Sequence, residues 1–238
     1  MPARLRRFLL GLVLLPPLLA TLYHLPDALL PLGSDPTAAL ILLGGMLAYV
    51  LTELAFSRPM RTYVFGHELT HALAALATGG KVLSFNVSKK GGSVSLSKSN
   101  FIVALAPYCV PIYTVLVTVL AFAVRGADPS LPVREPFLAA VGFTLAFHAS
   151  LTLFAIRQEQ PDIKKTGSFF SLVFIAFSNL WVLALISKAV FRDSVDLGGF
   201  FGDAVKTQWL IFKWSGGKLL EGASWAWRAA WDAAGRGA

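Results

Sequence analysis

One cysteine, Cys109, is all the chain holds in 238 residues, and it sits inside an apolar run. An intramolecular disulfide is excluded, and so is a zinc site built on several thiolates; any metal must be held by His and carboxylate. Charge is scarce as well. Asp, Glu, Lys and Arg make up 14% of the residues against 55% hydrophobic, and the mean hydropathy is +0.64. An ordinary soluble domain carries about a quarter charged residues, so the composition points to a bundle of membrane helices. Acidic residues number 13 against 21 basic ones, leaving a formal charge of +8. That balance alone would suit a nucleic-acid binder. Here, however, the basic residues stand in short clusters between apolar runs, the pattern of a membrane protein's cytoplasmic loops. The expected partner is therefore the lipid bilayer, not nucleic acid.

Six apolar runs are present, at about 8–23, 37–56, 63–78, 101–124, 137–156 and 167–191. Five approach or exceed the roughly 20 residues a helix needs to cross a bilayer, and the third falls short. The first follows Arg4, Arg6 and Arg7 as a secretory signal would, but Pro16-Pro17 interrupts it and bulky residues follow, so it reads as an uncleaved membrane helix. The segment 81–100 is more polar. Val82, Phe85, Val87, Val94 and Leu96 alternate in pieces around Gly91-Gly92, a hairpin signal. The expected fold class is an all-α polytopic membrane protein of about six hydrophobic helices with a small β-hairpin after the third. Residues 1–192 form the membrane-embedded domain and 193–238 a basic, Trp-rich amphipathic tail. In that tail Trp209, Trp214, Trp225, Trp227 and Trp231 mix with Lys206, Lys213, Lys218 and Arg228. Such a mixture suits a helix lying in the membrane interface; a loosely ordered tail is the alternative.

The third run contains His67-Glu68-Leu69-Thr70-His71, an H-E-x-x-H pattern. With four His in the chain, its chance occurrence is on the order of one in a thousand. On a helix, positions i and i+4 share a face one turn apart, so both imidazoles reach one Zn2+. Glu68 is rotated by about 100° from His67 and flanks the metal as a general base for an activated water. Ionisable residues in an apolar helix are costly and mark functional sites. The alternative is a polar trio packed between helices without metal. A catalytic zinc takes a third protein ligand and keeps a fourth position open. Candidates for the third are His148, in the fifth run, and Asp162, in the loop 157–167.

The segment FGHELTHALAALATGGKV (65–82), the polar hairpin-like stretch after it and QPDIKKTG (160–167) together resemble the site-2 protease family of intramembrane zinc metalloproteases, in a compact form without a PDZ domain. The resemblance implies that His67, His71 and Asp162 hold the metal and that Glu68 is catalytic. It also implies that the substrate is a membrane-embedded or membrane-proximal protein, and that the hairpin is a membrane-associated β element near the site. The Asn-Pro-x-x-Asp-Gly and Leu-Asp-Gly forms of the family's third-ligand motif are absent from 160–167. Two rivals stand beside this reading: a metal-binding scaffold without protease activity, and another membrane zinc endopeptidase such as a prenyl-protein endopeptidase.

Charge gives a topology independent of the family. Placing Arg4, Arg6 and Arg7 in the cytoplasm puts the loop 24–36, which has no Lys or Arg, outside, and Arg58 and Arg61 inside. If the short HELTH segment returns to the same side, Lys81, Lys89, Lys90 and Lys98 are inside too. Two further crossings bring Arg157, Lys164 and Lys165 inside, with Asp162 on the same face as His67. The expected location is a cell membrane, bacterial for so compact a chain without organelle signals, with the active site near the cytoplasmic face. Among the remaining polar residues, His148 and Asn179 read as bridges between helices, Glu53 as a partner of Arg58 or Arg61, and His24 as a solvent-exposed loop residue.

Overall fold

The computed structural model of the chain describes residues 2–56, 58–88, 91–158 and 160–235. Lys89, Lys90 and the last three residues of the tail lie outside the described residues. In order, the elements are α1 (Ala3–Ser34), α2 (Pro36–Phe56), α3 (Met60–Ala77), β1 (Val82–Ser88), β2 (Gly91–Leu96), α4 (Phe101–Cys109), α5 (Ile112–Ala127), α6 (Arg134–Arg157), α7 (Pro161–Thr166), α8 (Ser168–Val190) and α9 (Leu197–Gly235).

Four of these helices, α1, α2, α6 and α8, are long and apolar enough to cross a bilayer. Their packing runs opposite to that of a soluble helix. On α2 the residues turned inward are Ala38, Gly45 and Tyr49, while Leu40, Leu43, Leu47, Leu51 and Leu54 are exposed. Small residues let helix backbones approach closely where lipid, not water, covers the outer face. A Cβ at Gly45 would strike the Ala139 carbonyl, and one at Gly142 the Leu42 carbonyl. The α2–α6 pair is thus in backbone contact.

The expected single span over 101–124 is instead two helices, α4 and α5, bent by 70°; together they make a fifth span if the pair crosses as one broken unit. Pro111 explains the break. It has no N–H to continue the helix, and it drives the residue before it out of the helical region: Val110 has φ −107° and ψ 111°. α4 is short, but Val103 through Cys109 are all buried. It touches α3, α6, α7 and α8, and so joins the α2–α5–α6 group to the α1–α8–α9 group.

A second correction concerns α1, which continues through the expected loop to Ser34 with Pro16, Pro17, Pro26 and Pro31 inside it. Prolines are tolerated in membrane helices because neighbouring groups satisfy the freed carbonyls. At about 1.5 Å per residue, its 32 residues run the height of the molecule. At its start the Arg7 guanidinium donates to the Lys165 carbonyl; just past its end Asp35 pairs with Arg134. His24 is accordingly on a helix, not in an exposed loop. Its side chain is 14% exposed, and its Nε2 meets the Thr207 hydroxyl of α9 at 2.9 Å.

The tail forms the single 39-residue helix α9. Phe200 and Ala204 are buried, whereas the five Trp named above are exposed. The hairpin is antiparallel, pairing Val82 with Leu96 and Ser88 with Gly91. The glycine pair therefore belongs to β2 and is not the turn itself.

Candidate metal centre

α3 places the H-E-x-x-H residues at the end of the molecule where Arg7 meets Lys165. Thr70, next to His71, ties its hydroxyl back to the Gly66 carbonyl at 2.7 Å, and Gly66 sits so close to the Tyr113 ring that a Cβ would lie 2.7 Å from it. The helix is held from both sides while the two imidazoles project into the protein.

Asp162 arrives from α7. Pro161 at the first helical position needs no N–H partner. Ile163 is buried among Leu105, Tyr108, Cys109, Ala155 and Phe170, and that anchor turns the preceding Asp162 toward α3. The Thr166 hydroxyl donates to the Asp162 carbonyl and tightens the short helix.

His67, His71 and Asp162 converge so that one ligand atom from each lies within 4.8 Å of the others. The two Nε2 atoms are 3.2 Å apart. Asp162 Oδ2 is 3.4 Å from His71 Nε2 and 3.9 Å from His67 Nε2. A tetrahedral ion with bonds of about 2.0–2.1 Å holds its ligand atoms about 3.3–3.4 Å apart. Two of the three edges match, and the third closes with a half-ångström movement of a carboxylate that is one-third exposed.

The imidazoles are also oriented for ligation. His71 Nδ1 lies 2.7 Å from the Val103 carbonyl. A carbonyl only accepts, so Nδ1 carries the proton and Nε2 presents its lone pair to the triad. His67 Nδ1 has the Tyr63 hydroxyl at 3.3 Å. Such partners on the far nitrogen fix the tautomer and ring orientation of metal-binding histidines. The donor set of two neutral imidazoles and one carboxylate, with both Nε2 atoms directed inward, suits zinc.

Glu68 faces the hairpin. A Cβ on Gly92 would lie 2.5 Å from Val64 and 2.8 Å from the Glu68 side chain, and the Val94 backbone interacts with the Glu68 carboxyl. The phenyl rings of Phe65 and Phe85 meet edge to face, 5.9 Å apart. Gly92 is the residue that lets β2 lie directly on the Val64–Glu68 face of α3, the close approach that glycine within a strand permits.

Of the two candidates for a third ligand, the structure brings Asp162 to the imidazoles. His148 instead has its Nε2 3.3 Å from the Asn179 side-chain Oδ1, and the Asn179 Nδ2 donates to the Tyr108 and Ile175 backbone carbonyls at 2.8 Å. Both residues are bridges between helices. His148 and His67 share the lining of a cavity of about 20 Å³, room for one water. Glu53 pairs with Arg58 at 2.7 Å and accepts from Ser150 at 2.5 Å; Arg61 takes no part in that pair.

Sequence reasoning missed Tyr63 and Tyr108. Tyr63 is four residues before His67, one helical turn, and that spacing was available as a signal. Tyr108 packs its ring edge-on to His67, with centroids 5.4 Å apart. Its hydroxyl is buried without a hydrogen-bond partner among the described residues, and the charged group acting on it most strongly is Asp162. Only the fold brings it there. Searches of family models, of curated proteins and of solved structures find no match to this chain.

Proposed function

We propose that this chain is an intramembrane zinc metallopeptidase similar to the site-2 proteases. On this reading it hydrolyses peptide bonds of membrane-embedded or membrane-proximal proteins near the cytoplasmic face. The observation that carries the proposal is the convergence of His67, His71 and Asp162 from two separate elements, with Glu68 alongside on the face covered by the hairpin.

His67 and His71 through Nε2, and Asp162 through a carboxylate oxygen, would hold the ion. Zinc, when bound, supplies the Lewis acidity that makes water nucleophilic near neutral pH and polarises a carbonyl. Glu68, one residue past His67, would serve as the general base, taking a proton on a carboxylate oxygen and giving it to the departing amine nitrogen. The Val103 carbonyl keeps His71 in the ligating tautomer, and the Tyr63 hydroxyl steadies the His67 ring from its far nitrogen. The buried Tyr108 hydroxyl lies beside the triad, next to the Asp162 carboxylate. The sheet has two strands, and an unwound substrate segment would add to its edge as a further strand. A substrate helix must open in this way, because its peptide groups are otherwise committed to internal hydrogen bonds.

Metal analysis of detergent-purified protein, paired with cleavage of reconstituted membrane-protein substrates, tests the reading. Wild type is expected to carry about one zinc per chain. Glu68→Gln keeps the zinc and loses about 10²–10⁴-fold in cleavage rate, the usual contribution of a general base. His67→Ala and Asp162→Ala lose both. Wild-type protein without zinc after chelator-free purification overturns the proposal. A zinc-loaded wild type that cleaves no more than Glu68→Gln returns the chain to a scaffold role.

A further inference from the structure

A cavity of about 490 Å³ opens beside the metal centre, between the start of α1, the start of α4 and the α7–α8 junction. Its mouth carries Arg6, Arg7 and Lys165, and among the described residues no Asp or Glu lines it. Ser99 and Asn100 add polar groups at the same level. Deeper in, the lining changes to Leu10, Leu14, Phe101, Phe170 and Phe174. The change follows the helix axes. Leu14 is two turns beyond Arg7 on α1, about 10 Å further along, and Phe170 and Phe174 lie one and two turns into α8. The pocket is therefore cationic at the end of the bundle and hydrocarbon-like toward its middle.

A groove on the opposite end gives a contrast. It is lined by Arg125, Arg134 and Arg192, but also by Asp35 and Asp193, and Asp35 is already paired with Arg134. Two carboxylates line that groove among its cations, and none lines the first pocket among the described residues.

We infer that the pocket formed by Arg6, Arg7 and Lys165 over Leu10, Phe101 and Phe170 is a binding site for an anionic phospholipid. The headgroup phosphate meets the three cations and an acyl chain fills the apolar floor. Basic pockets between membrane helices select acidic headgroups in this way. A free phosphate would leave the apolar floor unfilled. The inference rests on the shape and charge of the pocket and not on the peptidase reading. It places the headgroup on α7, the helix that carries Asp162, since Arg7 already holds the Lys165 carbonyl.

Native mass spectrometry of the full chain in detergent, titrated with dioleoyl phosphatidylglycerol or dioleoyl phosphatidylcholine, provides the test. The expected result is retention of phosphatidylglycerol over phosphatidylcholine by about fivefold for each engaged cation. Glycerol 3-phosphate should not displace it. Arg6→Gln with Lys165→Gln removes two exposed cations, spares Arg7, and should abolish the preference. Leu10→Glu leaves every cation in place but puts a carboxylate in the floor, and should abolish it too. Arg192→Gln, at the other end, should keep it. Equal retention of the two lipids overturns the inference, as does a preference that survives both altered pockets. Displacement by glycerol 3-phosphate alone also overturns it, in favour of a bare phosphate site.

Discussion

The α2–α6 pair and the cluster of α3, the hairpin, α4 and α7 are built on opposite principles. The first is long and regular, with almost no side-chain polarity along its contact. Its specificity comes from Gly45 and Gly142, which bring two backbones together. The second consists of short elements interrupted at Pro59, Gly79-Gly80, Pro111 and Pro161, and nearly every buried polar group in it has a named partner. Regular spans leave no backbone carbonyl free to orient a ligand, because each helix commits its backbone to itself. Breaking the chain at one end of the bundle frees carbonyls and termini to orient ligands. The Tyr108 carbonyl held by Asn179 is one example; the Val103 carbonyl that fixes His71 is freed inside α4 by Pro107, four residues on, which has no N–H.

If that division holds, the scaffold can be damaged without touching the metal. Gly142→Leu forces a side chain into the Leu42 backbone, where no rotamer gives relief. Overpacking of this kind costs about 1–3 kcal/mol and sometimes more. Unfolding in a denaturing detergent titration should shift by at least that amount, while zinc per folded molecule stays at the wild-type value. Loss of zinc from protein that remains folded would show that the α2–α6 contact sets the metal geometry, and would erase the distinction.

Asn179→Ala probes the broken cluster. It leaves the Tyr108 carbonyl and His148 Nε2 without their present partner, and a buried polar group left unpaired costs about 1–3 kcal/mol. Tyr108 also packs against His67. The expected outcome is a lowered melting temperature together with weaker zinc retention against a chelator, with stoichiometry restored at saturating zinc. A stability loss with unchanged zinc retention would mean that α4 supports the fold alone and not the site.

The same division decides what could be read from the sequence. The H-E-x-x-H residues were legible because a helix brings i and i+4 together with no help from elsewhere, and the four long spans because about 20 apolar residues suffice to announce each. Asp162 was one of two options from the residues themselves, and its choice rested on resemblance. What places it is the burial of Ile163 against α4 and α8, a tertiary event. The bend at Pro111 was averaged away by counting apolar residues over 101–124. The end of the first apolar run at Tyr23 suggested a loop over 24–36, although the helix continues through Pro26 and Pro31, as lipid-facing helices accept proline that soluble ones do not. Gly92 was taken as part of a turn, whereas its role is the close approach of β2 to Glu68. The orienting groups on the histidines include a backbone carbonyl, which has no residue signature at all.

The smallest effect belongs to the far end, where the polar contacts are exposed. Asp35 caps α2 by accepting from the Ala38 N–H at 3.0 Å and pairs with Arg134. The cap, then the guanidinium, hold its carboxyl below the ordinary value of 3.8. A carboxyl whose folded value is depressed adds stability that is complete above its unfolded value and is lost as the pH falls through the folded one. Asp35→Asn should therefore melt slightly below wild type at neutral pH, and the gap should narrow on acidification and close once Asp35 is protonated in the native state. Exposed pairs contribute little, so the expected shift is much smaller than for Gly142→Leu or Asn179→Ala, and zinc content should not change. A gap that persisted undiminished in acid would mean that the Asn side chain disturbs the α1–α2 connection sterically. Charge would then have no part in joining the far ends of the spans, and the contrast would rest on packing alone.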